Sequence, residues 1–356
     1  MKIGILTFHR AHNYGAVLQC YALQEVLKSM GHEVWVVDYR QQFIEELYCT
    51  INSKTVLKLW CHPRTLFNYL RTGVHRFRRK MNFNKFISSY LHIDKDSKCT
   101  IQPNLDAYVI GSDQLWSLHC LGGFKDEVFL GVFEHNKQAK IIGYAISTNR
   151  QSLEVLQNDG LNEYLKKFTD LSMREQFASD FIYQNSNYKT SVCLDPTILA
   201  DINIWDNIVD AKWENKKFVL LYLLRKPDAV DKQQKLRENV LSLAMRIGCE
   251  VIDMSNMDYS VIDFVSLFKY ARYVVTTSFH GTVFSVLFNK PFYSIKLADG
   301  HDGRVINLLQ SLGLSEYCID LDDRLEIKEI SYSSTNKRRN ELRQDSIMFL
   351  TKNLVQ

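Results

Sequence analysis

Lys2-Ile3-Gly4-Ile5-Leu6-Thr7 opens the chain, and Glu33-Val34-Trp35-Val36-Val37-Asp38-Tyr39 follows one helix length later. Both are short aliphatic runs of the kind that form strands buried on both faces. Between them, from Val17, a helical period runs through Leu18, Tyr21, Ala22, Gln24, Val26 and Leu27 to a stop at Gly31. Strand, helix, glycine, strand is a βαβ unit, which predicts a parallel, doubly wound sheet. Asp106-Ala107-Tyr108-Val109-Ile110, residues 140–146 and Ser191-Val192-Cys193-Leu194 continue the strands.

A second beginning appears at 217–224, after a polar, charged stretch at 201–216 that reads as a linker. Helix 232–247, strand 249–253, helix 261–270, a strand-turn-helix from Tyr273, strand 292–296 and helix 304–312 follow in order. The expected fold class is α/β, with two Rossmann-like domains facing each other across a cleft. Residues 1–210 form the first, 211–334 the second, and 335–356 a C-terminal helix with apolar spacing at Leu342, Ile347, Phe349 and Leu350.

At 356 residues the chain suits two domains. Apolar content of 46% with 24% charged residues is that of a soluble globular protein, and a net charge of +4 is too small to argue for nucleic acid. Eight dispersed cysteines (Cys20, Cys49, Cys61, Cys99, Cys120, Cys193, Cys249, Cys318) with no C-x-x-C pair read as reduced thiols. No signal peptide and no membrane-spanning run is evident, so the expected location is cytoplasmic, at most peripheral at the inner face of a membrane. The segment 56–91 mixes Trp60, Phe67, Tyr69, Phe77, Phe83 and Phe86 with Arg71, Arg76, Arg78, Arg79, Lys80 and Lys85. It reads either as a helix packed on the sheet with a solvated basic face, or as a basic amphipathic helix touching an anionic membrane or a lipid-linked substrate.

Three loops carry the candidate chemistry, because ligands of open α/β sheets bind beyond the carboxyl ends of the strands. The stretch Tyr273-Val274-Val275-Thr276-Thr277-Ser278-Phe279-His280-Gly281-Thr282-Val283-Phe284-Ser285 runs from a buried strand through small hydroxyl residues into a helix. A helix start there, at Gly281-Thr282, aims unpaired N–H groups at an anion. His280 stands at its mouth, and imidazole is suited to general acid work near neutral pH. Arg225, Lys226 and Arg304 are candidate anion holders, since guanidinium matches phosphate or carboxylate bidentately. The loop 9–16 offers Asn13-Tyr14-Gly15, an amide, a phenol and a close backbone approach suited to a sugar; as plain structure, Asn13 and Gly15 are cap and turn residues. Asp113, in Gly111-Ser112-Asp113-Gln114-Leu115-Trp116, either orients a hydroxyl or caps a helix. Arg174-Glu175 and Asp195-Pro196-Thr197 are expected to be structural. No ligand set for a metal is evident, and there is neither a G-x-G-x-x-G nor a Walker loop.

At these residues the chain resembles the polysaccharide pyruvyl transferase family. The match runs from Asn13-Tyr14-Gly15-Ala16-Val17-Leu18-Gln19 and Tyr21-Ala22-Leu23-Gln24 through 111–116, Met173-Arg174-Glu175 and Leu194-Asp195-Pro196-Thr197. It ends in Ser278-Phe279-His280-Gly281-Thr282 and Phe288-Asn289-Lys290-Pro291-Phe292. The resemblance implies a GT-B-like fold and transfer of pyruvate from phosphoenolpyruvate, as co-substrate and without other cofactor, onto a sugar as a cyclic ketal. It implies catalysis by His280 and Asp113, phosphoenolpyruvate binding by Arg225, Ser278, Gly281, Thr282 and Arg304, and acceptor binding by His9, Asn13, Tyr14, Gly15 and Gln114. His9 is an alternative to Asp113 as the group taking the hydroxyl proton. The family often has an Arg where Ser278 stands, so other cations must hold the anion here. The implied acceptor is a hexose, galactose bridged at O4 and O6, on a lipid-linked capsular or exopolysaccharide precursor. Alternatives are a GT-B glycosyltransferase using a nucleotide sugar, with the same helix start holding a diphosphate, and a catalytically silent carbohydrate-binding subunit.

Overall fold

The computed structural model describes residues 1–48, 63–94, 101, 104–256 and 259–354. The chain forms two compact units, Met1–Ala200 together with Arg343–Gln356, and Asp201–Leu342.

In the first unit seven strands form one sheet: β1 (Lys2–Leu6), β2 (Glu33–Val37), β3 (Ile93–Asp94), β4 (Ala107–Asp113), β5 (Lys140–Ile146), β6 (Asp170–Met173) and β7 (Ser191–Val192). Their spatial order is β3-β2-β1-β4-β5-β6-β7, and every neighbouring pair is parallel. The winding reverses between β1 and β4, where Leu6 pairs with Ile110. That reversal opens a crevice at the carboxyl ends of those two strands, the place where such sheets bind ligands. The helix Tyr14–Ser29 crosses from β1 to β2 and is buried along almost its whole length. Asn13 caps it, its Oδ1 accepting from Gly15 N at 2.9 Å, and the left-handed Gly31 ends it.

The second unit holds β8 (Phe218–Tyr222), β9 (Glu250–Asp253), β10 (Tyr273–Thr276), β11 (Phe292–Lys296) and β12 (Cys318–Asp320), ordered β12-β11-β10-β8-β9 and again all parallel. Here the reversal lies between β8 and β10. Phe264, Phe268 and Phe284 pack beneath this sheet with Tyr222, their rings meeting edge-on or tilted.

The stretch 201–216 is not a linker. Its Trp205 is fully buried against Phe284, with ring centroids 4.9 Å apart, and its Trp213 packs on Phe218. Two buried indoles anchor the segment in the second unit, so the division falls at Asp201 and not at 210. The C-terminal helix runs Tyr332–Leu354. Its start is tethered in the second unit by Tyr332 Oη donating to Lys290 O. Its later part belongs to the first unit, where Arg343 Nε donates to Leu199 O and Ser346 Oγ accepts from Leu194 N.

Of the segment expected to be basic and amphipathic, Pro63–Tyr90 is one helix, and 56–62 lies outside the described residues. Cys49, Cys61 and Cys99 lie outside them too, while Cys20, Cys120, Cys193, Cys249 and Cys318 are free thiols. Among the described residues no helix is long and apolar enough to cross a membrane.

Candidate active site

In the second unit the strand-to-helix turn is built from its hydroxyl side chains. Thr276 Oγ1 donates to Tyr222 O at 2.8 Å and accepts from Ser278 N at 3.0 Å, locking the end of β10 to β8. Ser278 is the N-cap, its Oγ accepting from Gly281 N at 3.3 Å. The helix therefore begins at Phe279, two residues before the expected start, and His280 belongs to its first turn. First-turn N–H groups have no partner within the helix, and they carry its positive dipole end. His280 is buried, 8% exposed, with its ring edge-on to Phe279 at 5.2 Å. Thr282 points inward, donating to Ser278 O at 3.0 Å and sharing a hydrogen bond with Ser294 at 2.6 Å. It shapes the turn from behind. Gly281 is required by space, because a Cβ there would collide with the Thr276 hydroxyl.

The two arginines expected near this turn are both present, with different surroundings. Arg225 lies across the loop after β8, where its backbone N–H is hydrogen-bonded to Thr277 Oγ1 and its Nη2 donates to Thr277 O at 3.2 Å. Its guanidinium also pairs with Asp299, and with Asp302 at 2.8 Å. Asp302 in turn accepts from Leu297 N and Ala298 N at 3.0 and 2.8 Å. Burial alone would raise the Asp299 pKa; hydrogen bonds from His301 N–H and Arg225 bring it below its ordinary value. The Arg225 charge is thus met within the unit, and the side chain braces the loop 297–302 against the turn. Arg304, at the start of the helix Gly303–Leu312, sits with its guanidinium carbon 6.0 Å from the Phe279 ring centroid. That places a cation beside the first turn bearing His280.

In the first unit the crevice between β1 and β4 is bound together by Thr7, Gln19 and Ser112. Thr7 Oγ1 donates to Ser112 O at 2.9 Å and accepts from Gln19 Nε2 at 2.7 Å, and Gln19 Oε1 accepts from Ser112 N. A Cβ at Gly111 would strike the Tyr144 carbonyl. Asp113, half-buried at the end of β4, has φ of 90°, and neighbouring Ala145 on β5 has φ of 45°. Two non-glycine residues in left-handed conformation on adjacent strand ends are a marker of a functional site. Asp113 Oδ1 accepts from Gln114 N, and the Asp113 charge acts on buried Arg174. Burial would depress the Arg174 pKa, but Glu175, Asp195 and Asp113 more than offset it and keep the guanidinium charged. With Asp195 Oδ2 at 2.6 Å and Glu175 Oε1 at 3.1 Å, Arg174 ties the end of β6 to the Asp195–Thr197 turn.

The other expected acceptor residues divide. Asn13 is the cap and Tyr14 is buried, its ring 5.1 Å from that of Phe83. Gln114 is half-buried and accepts from Cys120 Sγ at 3.4 Å. His9 is only 1% exposed, its Nδ1 facing Thr7 O and its Nε2 lying 3.0 Å from Asp38 Oδ1. Both ring nitrogens of His9 thus face oxygen atoms within the first unit. The hub it joins was not expected. Asp38 takes Arg10 bidentately at 2.7 and 2.8 Å and Arg40 at 3.0 Å. Burial would raise the Asp38 pKa, but hydrogen bonds from His9, Arg10 and Arg40 hold it well below the carboxylate range. The available signal was an Asp at a strand end followed two residues later by Arg40.

Two Rossmann-like units, each with polar side chains gathered at its point of reversal, define an α/β protein with two parallel, doubly wound sheets. The family model for polysaccharide pyruvyl transferase matches residues 13–298, and the chain belongs to that family. No curated protein matches it in sequence. Its backbone is similar to that of a protein described as a UDP-N-acetylglucosamine 2-epimerase from Listeria monocytogenes, with TM-score 0.49 and 10% identity over 99% of this chain and 90% of that one. It is also similar to the UDP-GlcNAc 2-epimerase of Methanocaldococcus jannaschii, with TM-score 0.46 and 10% identity over 96% and 92%. For the E. coli heptosyltransferase WaaC with ADP the TM-score is 0.39, at 12% identity over 97% and 100%.

Proposed function

We propose that this polysaccharide pyruvyl transferase uses phosphoenolpyruvate and forms a cyclic pyruvate ketal on a hexose, galactose bridged at O4 and O6, in a lipid-linked capsular or exopolysaccharide precursor. The observation that carries this reading is His280 in the first turn of the Ser278-capped helix, with Arg304 beside it. A helix start with an adjacent cation suits a phosphate, and an imidazole in the same turn suits proton delivery to it or to its ester.

In this scheme the second unit binds phosphoenolpyruvate. His280 protonates the C3 methylene, and C2 gains oxocarbenium character. A sugar hydroxyl then forms its C–O bond at C2. The C2–O bond to phosphate breaks, and a second hydroxyl of the same sugar closes the ketal. Of the two hydroxyl protons, one replaces the proton His280 gave to the new methyl group, and the other leaves with phosphate or solvent. Asp113, with His9 as the alternative, takes a hydroxyl proton. The helix start and Arg304 stabilise the departing phosphate, an electrostatic contribution of a few kcal/mol in sites of this kind. Arg225 positions the loop through Asp299 and Asp302.

Calorimetry with phosphoenolpyruvate and with nucleotide sugars tests the reading. Phosphoenolpyruvate should bind, and Arg304→Ala should weaken it. Binding of a nucleotide sugar with no heat from phosphoenolpyruvate would replace this reading by a glycosyltransferase.

A further inference from the structure

We propose that the helix Pro63–Tyr90 seats the protein on an anionic lipid surface through its outward face. From Gly73 onward this helix has two distinct sides. Phe83, Phe86 and Ile87 are buried in the first unit, where Phe83 lies against Tyr14 and His12 and Phe86 against Tyr21. Val74, Phe77 and Met81 are 55, 58 and 56% exposed. Their spacing of three and four residues places them in one stripe, turned away from the buried side. The fold does not account for that stripe, since the buried side already supplies the helix's packing.

Charge identifies what covers it. The helix sequence PRTLFNYLRTGVHRFRRKMNFNKFISSY holds seven Lys or Arg and no Asp or Glu, in a chain whose total is 44 basic and 40 acidic residues. Arg78 and Lys85 are exposed and run along one edge of the stripe. Three exposed apolar side chains beside exposed cations, with no acid in the helix to repel lipid phosphate, fit a helix lying in the membrane interface. Met81 and Lys85 also line a cavity of about 820 Å³ that contains Arg10 and Arg40 together with Asp38, which pairs with both. The proposal is independent of the reaction assigned above, because it concerns residues that take no part in it.

Flotation of the full chain with vesicles tests it, using phosphatidylcholine mixed with phosphatidylglycerol and phosphatidylcholine alone. The chain should float with the anionic vesicles at low salt and largely dissociate at high salt. The Phe77→Ser/Met81→Ser and Arg78→Glu/Lys85→Glu variants should each weaken partitioning by about tenfold or more. All four side chains are exposed, so the variants should keep the parent's circular dichroism and melting. No flotation with anionic vesicles, or flotation undiminished in both variants, overturns the proposal.

Discussion

Gly281 rests against the side chain of Thr276 so closely that no Cβ fits between them. The same Thr276 hydroxyl is hydrogen-bonded to Tyr222 O and Ser278 N, so it cannot turn aside without releasing both. Gly281→Ala should therefore displace the turn and destabilise the second unit by about 1–3 kcal/mol, the usual cost of overpacking. A calorimetric melt reads the loss. Adding Thr276→Ala should recover part of it, and a melt for Gly281→Ala equal to the parent would refute this steric account.

His280→Gln tests proton delivery. It should lower kcat by about 100- to 10,000-fold, the range for removing a general acid, with KM for phosphoenolpyruvate changed much less. The melt should stay close to that of the parent. A variant with parental kcat would remove His280 from the chemistry.

The two arginines should separate by their readouts. Arg225→Ala leaves Asp299 and Asp302 facing each other without a cation and should cost on the order of 2 kcal/mol of stability, with proteolysis enhanced at 297–302. Arg304→Ala should raise KM for phosphoenolpyruvate about tenfold or more, as expected for a lost charge-assisted contact. The reverse pattern would exchange their roles.

A pH dependence follows from His12. Burial, with Arg79 and Lys80 nearby, lowers its pKa from 6.5 to about 4. Between those values the unfolded chain binds the proton that the folded protein does not, so stability falls as pH drops from about 6.5 towards 4. The slope approaches about 1.4 kcal/mol per pH unit for one proton. Asp38 acts in a different window. Its depressed pKa adds stability above its ordinary 3.8 that is lost below it. Denaturant melts of His12→Gln should flatten the first window and keep the second.

Much of the fold could be read from residue pattern, and the exceptions have physical reasons. The aliphatic runs of β1, β2, β4, β5, β8 and β10 are long enough to announce buried strands. Ile93–Asp94 and Cys318–Asp320 are too short to show a pattern, and Asp170–Met173 carries no β-branched residue. Polar neighbours hid Trp205 and Trp213, whose burial moves the boundary between units. At the candidate site, Asp113 stands out because it ends β4, and His280 because it follows β10 in the strand-to-helix turn. The partners of Arg225 were not, since Asp299 and Asp302 lie 74 and 77 residues away and meet it only through the sheet order. The partner of His9, Asp38, was hidden for the same reason, arriving from the end of the next strand.

Mass spectrometry of galactosides incubated with phosphoenolpyruvate tests the central assignment most directly. The expected product is the acceptor heavier by one pyruvate less one water, formed with one phosphate released per acceptor and absent with His280→Gln. Phosphate release without that mass gain would contradict it.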